Sequence, residues 1–186
     1  MVILENVRKN FEGKEIIRDL SLTFGDGTVT VLFGESGIGK TTILRIISGL
    51  AAPDRGSVRA DGIVSMVFQE PRLLPWKNTV ENVMISGCDR NTAERLLEGL
   101  GLKDEFRTLP SRLSGGMAQR VAIARALGSG ADVLLLDEPF TGLDEETARR
   151  CADFIRSEAK DTAVIIIVTH NRAMAEYMTD RIITIG

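Results

Sequence analysis

Residues 34–41 read Gly34-Glu35-Ser36-Gly37-Ile38-Gly39-Lys40-Thr41, a G-x-x-x-x-G-K-[ST] pattern, and this loop restricts the fold more than any other feature. An apolar run from Thr28 to Phe33 comes directly before it. Directly after it, Ile43, Leu44, Ile46, Ile47 and Leu50 recur with the 3.6-residue period of an amphipathic helix. Strand, glycine loop and helix, in that order, form the context in which such a loop cradles phosphates. Glycines let backbone N–H groups wrap around phosphate oxygens, and the helix N-terminus adds its positive dipole end. Lys40 is placed to reach the terminal phosphates and Thr41 to offer a hydroxyl to Mg2+.

The remaining sequence extends this alternation. Strand-like runs occur at Val2 to Val7, Val64 to Phe68, Val133 to Asp137, Ala163 to Thr169 and Arg181 to Ile185. Helical periodicity returns at Ala93, Leu96, Leu97 and Leu100, and at Ala148, Ala152, Ile155 and Ala159. The pattern predicts an α/β fold with a mostly parallel sheet. The stretch from Thr79 to Leu109 offers no strand and reads as a small helical subdomain inserted in the core, with 79–128 as its full extent. A chain of 186 residues, 44% hydrophobic and without internal repeats, is expected to form one domain over 1–186.

Charge and cysteines narrow the setting. A formal net charge of -3 argues against a surface built to neutralise nucleic-acid phosphates, so no nucleic-acid partner is expected. Cys88 and Cys151 match no metal-ligand spacing and read as reduced thiols of a cytosolic protein. No apolar run approaches the ~18 to 20 residues that span a bilayer, and the first residues lack the apolar core of a signal peptide.

Two further segments carry chemistry. Val133 to Leu136 deliver Asp137 and Glu138 to a strand end, where ligands bind in parallel sheets. Side chains alternate along a strand, so the two carboxylates divide the labour. Asp137 is expected to hold Mg2+, and Glu138 to polarise the attacking water as general base, the alternative being an acidic strand end facing solvent. Ser114 precedes Gly115 and Gly116 as a helix cap, a second place where free N–H groups meet an anion. His170, the single histidine, ends another strand and is either structural or able to reach a γ-phosphate.

With these segments in order, the chain resembles the nucleotide-binding subunit of an ABC transporter. Leu113-Ser114-Gly115-Gly116-Met117 resembles the family signature, and Leu136-Asp137-Glu138-Pro139 the second nucleotide motif. Gln69 matches the glutamine that senses Mg2+ and water, Gly142-Leu143-Asp144 the loop ending in aspartate, and Thr169-His170 the switch histidine. Phe11 stands where the family places an aromatic ring against adenine, although core packing would suit it equally. Gln69 to Trp76 resembles the branch that energises importers of nitrate, sulfonates and taurine.

The resemblance implies a P-loop NTPase core with an N-terminal antiparallel β portion and MgATP held on Gly34 to Thr42. It implies a head-to-tail homodimer in which Ser114, Gly115 and Gly116 meet the partner's nucleotide, with Asp144 also among the nucleotide-binding residues. Lys40, Gln69, Glu138 and His170 would be catalytic, and Thr41, Gln69 and Asp137 would hold the metal. Membrane-spanning subunits would dock near Gln69 to Trp76, on an apolar cluster of Leu73, Leu74 and Trp76, unless Trp76 is buried in the domain's own core. The expected protein is an importer ATPase, cytoplasmic and peripheral on the inner face of the cell membrane. A soluble ABC-type ATPase acting on nucleic acid or the ribosome and a non-hydrolysing nucleotide-gated regulator are the alternatives. The terse connection from Leu50 to Val64 and the early stop after His170 lead us to expect no regulatory domain.

Overall fold

The computed structural model describes residues 1–11, 14–179 and 181–185, with the Phe11 side chain outside that description. The parallel sheet has the order β5-β6-β7-β3-β8, where β3 is Val29–Phe33, β5 Val64–Val67, β6 Val133–Asp137, β7 Val164–Thr169 and β8 Ile182–Thr184. Every pairing within it is parallel. A second, antiparallel sheet has the order β2-β1-β4, from β1 Val2–Phe11, β2 Lys14–Phe24 and β4 Arg55–Ala60. This sheet is the N-terminal antiparallel portion that the resemblance implied.

Strand alternation sorts the core into two layers. Val31, Leu134, Leu136, Ile165 and Ile167 face one way and share a cluster with Val80, Leu97, Val121, Ile123 and Ile155 of the helices. Leu32, Val133, Leu135, Val164, Ile166 and Val168 face the other way, onto α1 (Lys40–Ile47) and the antiparallel strands through Ile43, Leu44, Leu4 and Phe24. The parallel strands are covered on both faces, which is why they read as unbroken apolar runs.

Four elements departed from expectation. Strands β2 and β4 were invisible because they are half exposed and carry charged residues on the outer face. Helix α1 stops at Ile47, Gly49 turns with φ of 74°, and Leu50 lies beyond it, 61% exposed. A short helix, Arg172–Met178, follows β7. Between β5 and β6 lie α2 (Thr79–Met84), α3 (Arg90–Gly99), two 3-10 turns and α4 (Gly115–Gly128), then α5 (Glu145–Glu158) follows β6 and α6 is the helix after β7.

Start signals on the helices are local. Asn78 and Glu81 form a reciprocal capping box at α2, and Asp89, Ser114, Asp144 and Asn171 each accept a backbone N–H at the next helix starts. Each such cap contributes about 1 kcal/mol. No helix among the described residues is long and apolar enough to cross a membrane.

Both cysteines are free, and Cys151 on α5 is 2% exposed. Burial pushes its thiol up to about 11. At pH 8 the thiolate is the minor form and sterically shielded. Iodoacetamide should therefore leave Cys151 unmodified in the folded protein and alkylate it in urea, as read by peptide mass.

Candidate nucleotide site

Four strand ends of the parallel sheet supply the site. The loop after β3 is the phosphate loop, and Gly39 ends it as the N-cap of α1 with φ of 109°. A Cβ there would adopt a strained backbone and lie 2.9 Å from Ile16 Cγ2, so β2 backs the loop closely. No side chain caps α1, which leaves its first N–H groups to a ligand. Lys40 is 5% exposed, and its Nζ donates to the carbonyls of Gly34 and Glu35, each at 2.7 Å.

Asp137 ends β6 on the face toward α1. The Thr41 hydroxyl donates to its Oδ1 at 3.0 Å. Burial pushes the Asp137 carboxyl above its usual range, the Thr41 bond opposes this, and the neighbouring Glu138 charge adds to it. Glu138 has φ of 48°, a left-handed conformation that breaks the strand alternation and turns its carboxylate toward the end of β7. There His170 Nδ1 lies 2.8 Å from Oε1, and the Thr169 hydroxyl donates to Oε2 at 3.2 Å. An open cleft of about 410 Å³ joins these groups, with Ser36, Lys40, Thr41, Thr42, Gln69, Asp137, Glu138 and His170 in its wall.

The Gly115–Gly116 end of α4 faces elsewhere. A second cleft of about 480 Å³ is lined by Ser114, Gly115, Gly116, Asp144 and, from the other side, Gln69. No residue of the phosphate loop borders it. Ser114 Oγ accepts the Met117 N–H at 3.2 Å and Asp144 Oδ1 the Thr147 N–H at 2.9 Å, so both side chains cap helices in the single chain.

Comparison with known proteins decides the family. The sequence profile described as ABC transporter matches residues 17–141. The chain belongs to the ABC transporter family. The aliphatic sulfonates import ATP-binding protein SsuB 2 of Pseudomonas syringae pv. tomato is 44% identical over 184 residues, 96% of this chain and 79% of the relative. SsuB of Zymomonas mobilis is 40% identical over 195 residues, covering 98% and 80%. Among solved structures, the dimeric ATP-binding cassette MJ0796, in a post-hydrolysis state bound to ADP and Pi, superposes with a TM-score of 0.92 at 29% identity. That match covers 100% of this chain and 94% of the other.

In this ABC cassette the predicted residues fall into two groups. Lys40, Thr41, Thr42, Gln69, Asp137, Glu138 and His170 meet in one cleft, with Ser36, Gly37 and Gly39 of the loop. Ile38 lines a neighbouring groove with Ile16 and Ile17, and Gly34 and Glu35 contribute carbonyls to Lys40. Ser114, Gly115, Gly116 and Asp144 are not brought to that cleft within one chain. The Phe11 side chain lies outside the described residues. Leu73 turns inward against the helical core cluster while Trp76 is 72% exposed, so the expected apolar cluster is divided and Trp76 is not a core residue. Sequence reasoning missed the hydroxyl of Thr169 as a partner of Glu138, although its place beside His170 in the Thr169-His170 pair was a signal.

Proposed function

We propose that this chain is the ATP-binding and ATP-hydrolysing subunit of an ABC importer, of the aliphatic sulfonate class for which its relatives are named. One observation carries the reading: a buried carboxylate pair, Asp137 and Glu138, ends beside a phosphate loop, while the capped glycines of α4 open into a separate cleft. One chain holds half of each composite site, so function needs two copies arranged head to tail. We read 1–186 as one ATP-binding domain, with 79–128 as its helical subdomain.

The site's chemistry follows from its groups. The triphosphate takes the Lys40 ammonium from the Gly34 and Glu35 carbonyls and receives the uncapped N–H groups of α1. Mg2+ fits the donors present: a hydroxyl and a carboxylate 3.0 Å apart, Thr41 and Asp137, with the Gln69 amide in the same cleft, are the hard oxygen ligands it takes. Bound there, it would neutralise phosphate charge. Glu138, held between Thr169 and His170, accepts the proton of the attacking water. His170, 59% exposed at its side chain, is open to the γ-phosphate. Ser114, Gly115 and Gly116 of the second copy close over that phosphate and complete its electrostatic surroundings.

The subunit sits on the inner face of the membrane, and membrane-spanning subunits dock at Gln69 to Trp76, where Trp76 presents an exposed ring. Light scattering of Glu138→Gln with and without MgATP tests the shared site. A mass that doubles only with MgATP is expected, and a monomer under both conditions would overturn it.

A further inference from the structure

Arg125 on α4 is a half-buried cation that the chemistry above does not use. Burial lowers its pKa, and no carboxylate pairs with it among the described residues. Its guanidinium instead donates to two loop carbonyls, Pro71 at 2.8 Å and Arg72 at 3.0 Å. A fork of fixed N–H groups on two adjacent carbonyls fixes both position and orientation. The gripped segment is otherwise awkward: Arg72 has φ of 47°, and its own guanidinium lies 4.3 Å from the Phe68 ring centroid.

A second contact from the same helix holds the other flank. Gln119, 3% exposed, donates from Nε2 to the Phe68 carbonyl at 3.4 Å. The two contacts lie about 9 Å apart along α4. Gln69, which reaches the phosphate cleft, is caught between them. The far end of the loop is fixed by fully buried Asn82, which accepts the Leu74 N–H at 2.8 Å and donates to the Lys77 carbonyl at 2.8 Å.

We propose that Arg125 and Gln119 are positioning residues that make the loop from Phe68 to Trp76 and helix α4 one rigid body. Closure of the Ser114–Gly116 end of α4 on a partner's nucleotide is then transmitted to Trp76 through the guanidinium, not through the chain. The inference rests on the shared-site reading above and assigns the link between its two ends.

Trp76 is the single tryptophan, so its emission reads the loop directly. In the Glu138→Gln background, mass and Trp76 emission would be recorded with and without MgATP. The parent should dimerise and shift its emission maximum. Arg125→Met should dimerise equally and lose the shift, and Arg125→Lys, whose single point charge cannot fork two carbonyls, should show a reduced one and serves where the methionine variant fails to fold. Dimerisation with an undiminished shift in the Arg125 variants overturns the clamp alone, as does a dimerising parent with no shift. A parent that stays monomeric overturns the shared site and the clamp with it.

Discussion

Glu138→Gln should lower the ATP turnover number by about 100- to 10,000-fold, the span that a positioned general base supplies. That loss corresponds to about 3–5 kcal/mol of barrier. Glutamine keeps the side chain's shape in a position 9% exposed, and its carbonyl can still accept from Thr169, so folding is not the variable. In the proposed site nucleotide binding would rest on Lys40 and the α1 N-terminus, which the change leaves alone. Phosphate release and equilibrium ATP binding, measured on the same preparation, separate the two. Turnover within a few-fold of the parent would remove Glu138 from the chemistry.

Two inactive variants should restore activity when mixed. Gly115→Asp places a carboxylate where the partner's γ-phosphate is expected, and nothing lies within 4 Å of a Cβ at that position, so the helix tolerates it. Alone it should be as inactive as Glu138→Gln, by like-charge repulsion in a closed site. In a mixed dimer one site carries both lesions, and the other pairs an intact Glu138 with an intact Gly115. Mixing equal amounts should raise phosphate release well above the sum of the separate rates. A merely additive rate would mean that each chain hydrolyses ATP with its own residues.

Much of the candidate site was legible because its residues lie at the ends of strands that the sequence marks plainly. The phosphate loop, the carboxylate pair and His170 each sit at the end of a strand buried on both faces, and such strands announce themselves as apolar runs. Strands β2 and β4 escaped notice because their partners, not their composition, make them strands. The left-handed turn at Glu138 was equally hidden, since no glycine marks it. Alternation along β6 predicted that the two carboxylates separate, but the direction Glu138 takes is set by the hydroxyl and imidazole of β7's end, which only the folded sheet brings near. Arg125 reads in sequence as an ordinary helix cation, and its grip on two loop carbonyls depends on contacts 53 and 54 residues away.

Lys40 is held by the loop it serves. Its ammonium rests on two neutral carbonyl dipoles at 2.7 Å, so an occupant must offer more than they do. A charged phosphate oxygen binds an ammonium roughly twice as strongly as a neutral acceptor. Weakly charged molecules would gain little there, so the loop would discriminate by charge density. Selectivity of this kind would survive changes in the base-binding wall, because it rests on the loop's own backbone carbonyls.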